Sequence, residues 1–186
     1  MKTSTAPVTL DIARALTIHG WMDREELVWL AEHASFSRVV VEVGSFKGRS
    51  TRVLADNVAS ALGDGAKGVI YAIDPWKHMG GVRRNFEANL QDHIRAGRVS
   101  TWAMTFEAAF PTLRGLTADL VFIDDDHVYE SVRRHIELGR HLVRPGGILS
   151  GHDYHRASWP GVTRAVDEAF PAGVSVCGSI WWVTCP

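Results

Sequence analysis

The stretch from Val39 to Thr51, Val-Val-Val-Glu-Val-Gly-Ser-Phe-Lys-Gly-Arg-Ser-Thr, constrains the fold more than any other part of the chain. Val39–Val43 carries apolar residues on both alternating sets. That pattern predicts a strand covered on both faces, as a central parallel strand is. Gly44 and Gly48 allow a tight turn and a close backbone approach to a ligand. Ser50 and Thr51 are expected to cap the following helix, whose stripe is Leu54, Val58, Ala61 and Leu62. Strand, glycine loop and helix N-terminus suit a nucleotide-like cofactor at the carboxyl edge of a doubly wound sheet. A tight strand-to-helix turn without a ligand would satisfy the same pattern.

The rest of the chain repeats this alternation. Strands are expected over Gly68–Ile73, Val99–Met104, Ala118–Ile123 and Ile148–Gly151. A hairpin of Val174–Cys177 and Ile180–Thr184 turns at Gly178-Ser179. Helices are expected around Phe86, Leu90 and Ile94 up to Gly97, over Phe106–Leu113, around Val128, Val132 and Ile136, and over Gly161–Phe170 with Pro160 at the start. Gly63-Asp64-Gly65 reads as a loop. Two helices precede the first strand. One covers Leu10–Ile18, and a second starts at a capping box of Asp23 and Glu26 and is striped by Leu27, Leu30, Ala31 and Ala34. They could cover a cofactor or shield a sheet face. The expected architecture is α/β: a doubly wound, mostly parallel seven-stranded sheet with a C-terminal antiparallel hairpin and two extra N-terminal helices.

At 186 residues this is one domain, 1–186, with 1–36 a helical extension and 37–186 the core. Twenty basic against 21 acidic residues, with no basic block, exclude a nucleic-acid or anionic-membrane partner as the expected reading. Met1–Leu10 lacks the apolar core of a signal peptide. The last 18 residues are uncharged but broken by two prolines and two glycines, which favours a buried hairpin over a membrane helix. Cys177 and Cys185 make no disulfide framework, so a reducing cytoplasm is expected.

Polar residues gather at the predicted strand ends. Asp74, 32 residues after Glu42, could accept both hydroxyls of a ribose or merely cap a turn. Asp124-Asp125-Asp126-His127 places three carboxylates in a row. They repel unless positive charge lies among them, and the next helix N-terminus is one source. Parallel neighbours lie ~4.8 Å apart, so His152-Asp153 at the next strand end would sit beside Asp124. Asp124, His152 and Asp153 could hold Mg²⁺ or another divalent cation. Asp126 or His127 could take a substrate proton. Tyr129 and Trp159 could wall a substrate pocket. His155 could support the metal ligands from behind or be a plain surface histidine, the favoured reading; His135 and His141 are expected to be solvated. Phe106-Glu107 sits where an adenine would lie.

These residues resemble the class I S-adenosylmethionine-dependent methyltransferases. The resemblance runs from Gly20-Trp21 through nearly the whole chain, and Glu42-x-Gly44-x-x-x-Gly48-x-Ser50-Thr51 resembles the family's first motif. Phe122 through Glu130, Pro145-Gly146-Gly147 and Gly151-His152-Asp153-Tyr154 are similar to its small O-methyltransferase-like branch, which includes macrocin-type sugar enzymes and, more distantly, catechol O-methyltransferase. The resemblance implies a Rossmann-like core and methylation of a hydroxyl on a small molecule, a sugar or a phenol of natural-product type, with metal assistance an open part. It implies that Glu42, Gly44, Ser45, Gly48 and Ser50 border the methionine part of S-adenosyl-L-methionine. By the same carry-over Asp74 holds the ribose, Thr105 and Phe106 lie by the adenine, and Asp124 lies near the methyl donor and the metal. His152 and Asp153 match the paired metal ligands, and Asp126 and His127 match the candidate acid and base. Phe46 replaces the middle glycine of the commonest first motif, and His152 replaces an Asp or Asn. A homo-oligomer is left open.

Three rivals share parts of this pattern, one of them a non-catalytic S-adenosylmethionine-binding or interaction module. A nicotinamide-dependent oxidoreductase would want Gly-x-Gly-x-x-Gly or Tyr-x-x-x-Lys; here Ser45-Phe46 follows Gly44, and Arg133, not Lys, stands four residues after Tyr129. A metal-dependent hydrolase or oxygenase would use the Asp124, His152 and Asp153 cluster alone.

Overall fold

The computed structural model describes residues 9–62, 68–77 and 80–186. The Gly63-Asp64-Gly65 loop and most of Met1–Leu10 lie outside the described residues. Seven strands form one sheet: β1 (Val39–Val43), β2 (Val69–Ile73), β3 (Val99–Trp102), β4 (Ala118–Ile123), β5 (Val143–Gly151), β6 (Ser175–Cys177) and β7 (Ile180–Thr184). Their order is β3-β2-β1-β4-β5-β7-β6. The first five run parallel; β7 lies antiparallel to both β5 and β6.

β1 is central because both of its side-chain sets are covered. Val40, with Ile70, Ala72, Leu120 and Phe122 of its neighbours, packs under α1 (Arg24–Ser35), α2 (Arg49–Asn57), α3 (Val82–Asn89) and α4 (Gln91–Arg95). Val41 and Val43, with Ile73, Val121 and Ile123, pack under α5 (Phe106–Leu113), α6 (Tyr129–Leu142) and α7 (Pro160–Ala169). Two apolar faces require helices on both sides, and the alternation of strand and helix supplies them. No described helix is long and apolar enough to cross a membrane.

Several local expectations are corrected. The predicted Leu10–Ile18 helix is only a 3₁₀ turn at Ala15–Thr17. Asp11 is pinned instead to Asn57, whose Oδ1 accepts the Asp11 N–H at 2.8 Å and whose Nδ2 donates to the Asp11 carbonyl at 2.6 Å. So short a segment cannot repay helix nucleation once its backbone is held elsewhere. One N-terminal α-helix therefore stands where two were expected; α1 does start at the Asp23/Glu26 capping box.

α2 begins after Gly48, not at a Ser50 or Thr51 cap, and ends at Asn57, before Val58, Ala61 and Leu62. The single helix expected up to Gly97 breaks at Leu90. The Asn89 carbonyl there accepts from Arg52 and the Asn89 amide donates to the Lys47 carbonyl, tertiary bonds that compete with helix continuation. β5 is longer than expected and absorbs Pro145-Gly146-Gly147 as an irregularity between the Ala118–Val143 and Leu120–Ile148 pairs. Pro145 has no N–H for the ladder, and the strand resumes beyond it. β3 stops at Trp102, two residues short of the expected end.

Gly44 and Gly48 both sit in the left-handed region, at φ +85° and +87°. A Cβ on Gly44 would lie 2.0 Å from the Asp124 carbonyl oxygen, which belongs to the backbone of a central loop. A Cβ on Gly48 would lie 2.3 Å from Cδ2 of Leu90, the tip of a side chain. We expect Gly48→Ala to cost about 1–3 kcal/mol of strain and Gly44→Ala clearly more, since backbone cannot swing aside. Urea midpoints read by circular dichroism check the ranking; equal midpoints would refute it.

Candidate functional site

The ladder continues one residue beyond β1, β2, β4 and β5. Gly44 N–H donates to the Ile73 carbonyl (2.8 Å), Asp74 N–H to Trp102 (3.1 Å), Asp124 N–H to Val43 (2.7 Å) and His152 N–H to Ile123 (3.0 Å). These four residues are thereby fixed along one rim, and a cavity of about 420 Å³ opens there. Of the expected site residues, Gly44, Ser45, Ser50, Asp74, Asp124, His127, His152 and Asp153 line it together. Glu42, Gly48, Thr105, Phe106 and Asp126 do not. Glu42 is fully buried beneath the loop, and Gly48 packs on Leu90 and Phe86. Thr105 caps α5 through its hydroxyl, and Phe106 is core. The exposed Asp126 accepts the Val128 N–H at 3.0 Å, a service to the start of α6.

Asp74 organises the glycine loop. Its Oδ2 accepts from the Ser45 and Phe46 amides (3.0 and 2.8 Å), and its Oδ1 from the Trp76 amide (2.6 Å). A carboxylate offers about four lone-pair positions, so three are taken and one is left. The turn-capping expectation is thus met, and a ribose would find a single acceptor where two were expected. Phe46 stands at φ +44°, which accounts for the glycine common at this place in the first motif. Its amide is held by Asp74, and its carbonyl by the Trp76 indole N–H (2.8 Å). Below the loop, one Glu42 oxygen accepts from the Ser45 and Thr51 hydroxyls. The other, Oε1, is buried without a hydrogen-bond partner among the described residues.

At the opposite side, His152 lies among three carboxylates. Its Nδ1 is 3.5 Å from Asp124 Oδ1 and 3.4 Å from Asp153 Oδ2; its Nε2 is 3.2 Å from Glu26 Oε1. Burial opposes a charge on this ring, yet the surrounding carboxylates of Asp124, Asp153 and Glu26 outweigh it and push the imidazole up to about 12. Burial likewise opposes ionisation of Glu26, but His152 and Ser179 hold it down at about 2. Asp153 is held below the ordinary carboxylate range, His127 and His152 overcoming its burial. Asp124 shifts the other way: burial pushes it up, only partly offset by His152. The cluster demands positive charge at Nδ1. His127 Nε2 bonds Asp153 Oδ2 at 2.7 Å, and its ring stacks on Trp159 with centroids 4.1 Å apart. No described residue bonds its Nδ1.

Sequence reasoning missed several members of the site. Glu26 was visible only as a helix cap, and nothing linked it to residue 152. Arg49 and Arg156 line the cavity with Trp21 and Met22, which the segment before α1 carries in. α1 itself packs against α2 and the sheet, so the N-terminal region both shields a face and walls the cavity. His135, expected to be solvated, is buried and bonds Glu107 at 2.9 Å. Tyr129 does not line the cavity; its hydroxyl bonds Glu168. Trp159 does line it.

Comparison with known proteins bears on what this cavity does. Residues 41–154 match a family model described as a methyltransferase domain. The chain belongs to this family. No curated protein matches in sequence. Solved structures share the fold of this methyltransferase at low identity. Cofactor-bound Rv0187 from MTB is 20% identical (TM-score 0.68, covering 93% of this chain and 86% of that one). The O-methyltransferase TomG from Streptomyces achromogenes, of tomaymycin synthesis and in complex with SAM, is 17% identical (0.67; 89% and 82%). An O-methyltransferase from Bacillus cereus in complex with SAH is 18% identical (0.65; 91% and 86%). Among the rivals, the family match removes the oxidoreductase and hydrolase readings.

The methyltransferase's residues fit both groups that the resemblance implies. The cavity is of ordinary ligand size, and the buried Glu42 carboxyl beneath the loop, raised to about 7, is one whose ionised form a cationic donor would favour. Nδ1 separations of 3.4 and 3.5 Å are long for charge-assisted hydrogen bonds, which run at about 2.7–2.9 Å. They suit atoms sharing a cation with bonds of roughly 2.0–2.2 Å. One nitrogen with two oxygens favours Mn²⁺, Fe²⁺ or Zn²⁺ over Mg²⁺.

Glu42 gives the site a stability signature. Burial pushes its carboxyl from 4.5 up to about 7, against the opposing pull of the neighbouring Ser50, Thr51 and Ser45 hydroxyls. The folded protein therefore holds this proton more tightly than the unfolded chain, so stability falls as pH rises from 4.5 to about 7. Glu42→Gln should remove that fall, about 3 kcal/mol across the window, in urea unfolding compared at about pH 5 and pH 8. Parallel pH dependence in both proteins would disprove it.

Proposed function

We propose that this methyltransferase transfers a methyl group from S-adenosyl-L-methionine to a hydroxyl oxygen of a small molecule, a sugar or a phenol, with a divalent cation at the acceptor. The observation that carries the reading is the shared cavity, where the glycine loop and Asp74 meet Asp124, His127, His152 and Asp153. That TomG and the Bacillus cereus enzyme are O-methyltransferases supports an oxygen acceptor, and their bound SAM and SAH support the donor. The chain is read as one domain, and its two free cysteines favour a cytoplasmic setting.

When bound, S-adenosyl-L-methionine supplies an electrophilic sulfonium methyl. Gly44 and Ser45 border its methionine part, and Ser50, in the first turn of α2, meets the carboxylate where unpaired helix amides favour an anion. Asp74 holds the loop and accepts one ribose hydroxyl. Thr105 and Phe106 act only by placing α5. Asp124, His152 and Asp153 would hold the cation, which supplies Lewis acidity to the acceptor hydroxyl. His127 is the base: Nε2 is committed to Asp153, which orients the ring and leaves Nδ1 to receive the proton. Asp126 secures the start of α6 behind it. Alignment of acceptor and donor can contribute on the order of 7–11 kcal/mol in the best cases.

Two measurements test this. Calorimetry should detect S-adenosylhomocysteine binding, and Asp74→Ala should weaken it tenfold or more, about 1.4 kcal/mol. An unchanged affinity would sink the Asp74 assignment. With phenols and sugars as acceptors and labelled donor, His127→Ala and Asp153→Ala should each lose turnover by about 10²-fold or more while still binding S-adenosylhomocysteine. If a chelator leaves turnover intact, the metal part fails and His127 acts alone.

A further inference from the structure

Glu26 does more than a capping box needs. The box uses Oε2, which accepts the Asp23 N–H at 3.0 Å. Oε1 points the other way and accepts from the Ser179 amide (2.8 Å) and the Ser179 hydroxyl (2.7 Å), with Arg156 Nη2 at 3.8 Å. The side chain is 1% exposed, and an acid this buried is kept only with partners. Three separate segments meet at it: the first turn of α1, the β6–β7 turn at Ser179, and the end of β5 at His152.

The hydrogen bonds fix direction. A carboxylate has no proton to give, so the Ser179 hydroxyl must donate to Glu26. The Ser179 oxygen is then an acceptor toward His152 Nε2 at 2.9 Å and Arg156 Nε at 3.1 Å. Nε2 must therefore carry a hydrogen, and Nδ1 is turned toward Asp124 and Asp153. Carboxylates behind metal-binding imidazoles act this way, setting the tautomer and ring orientation.

We propose that Glu26, acting through Ser179, is a positioning residue: it fixes His152 as the Nε2–H tautomer and dedicates Nδ1 to the cation shared with Asp124 and Asp153. The inference rests on the metal part of the proposed function. It makes α1, outside the sheet core, a working part of the centre.

The test uses the full chain saturated with S-adenosylhomocysteine, titrated with Co²⁺ followed by visible absorption and with Mn²⁺ followed by electron paramagnetic resonance. Glu26→Gln should weaken both ions by 10–100-fold, the usual effect of losing such a carboxylate, and should shift the Co²⁺ bands. Ser179→Ala keeps the capping box and the backbone contact to Glu26, so it guards against misfolding of the first variant; it should weaken the ions by about tenfold. Circular dichroism confirms the fold of each. A wild type that binds the ions, with both folded variants binding equally well and with unchanged bands, overturns the role of Glu26 alone. A wild type that binds neither ion overturns the metal reading and this inference with it, while leaving the donor assignment to the calorimetry.

Discussion

The site depends on four backbone hydrogen bonds made one step past the sheet. A parallel ladder normally ends where the strands diverge into loops. Here Gly44, Asp74, Asp124 and His152 each extend it by one bond to a neighbouring carbonyl. A loop residue would otherwise cost about 1–2 kcal/mol of backbone entropy to hold in one conformation. Because the ladder already fixes these residues, the side chains of Asp74, Asp124 and His152 line the cavity without further backbone ordering at the moment of binding, which is where preorganisation gains most. Gly44 is the narrowest part of the arrangement: the Asp124 carbonyl passes so close that no side chain fits.

The charges on the rim divide into two halves with opposite needs. On the β1 side, Glu42 is buried with a raised pKa, a carboxyl whose ionised form a positive partner would stabilise. On the β5 side, Glu26, Asp124 and Asp153 surround one imidazole, which Arg156 and His127 support from outside. Buried carboxylates at this density are tolerable only with cations among them. Both halves thus favour positive charge in one cavity: a sulfonium or ammonium at one end, and a metal or proton at the other.

The central sheet was legible in the sequence because its signal is local. Val39–Val43 and Ala118–Ile123 are found at their expected bounds, since a strand covered on both faces writes its burial into consecutive residues. The capping box at Asp23 was readable for the same reason. What was not legible depends on distant partners. Nothing near Leu10 announces Asn57, and nothing near Leu90 announces the pull of Arg52 on the Asn89 carbonyl. His135 looks like one of several polar residues on α6, yet Glu107 and the Phe106 ring enclose it. Strand-end acids were found because strand ends are predictable; Glu26 was not, because its contact spans 126 positions to His152 (152 − 26).

Strain follows the same geography. Five described non-glycine residues have positive φ: Phe46, Ala59, Trp76, Asp153 and His155. Four of them sit in the loops after β1, β2 and β5, the loops that build the rim. Such conformations cost of order 1–3 kcal/mol each and persist only where surrounding bonds over-determine them. Those bonds are visible: Asp74 holds the Phe46 and Trp76 amides, His127 and Arg156 hold the Asp153 carboxylate, and Thr163 accepts the His155 N–H. Phe46 is the telling case. A glycine there would reach the same φ without strain, but it would lose the ring that packs at 4.9 Å against Trp21 and under Lys47 at 5.1 Å. The chain accepts a strained backbone to place an aromatic group at the cavity mouth, where the segment ahead of α1 closes over it.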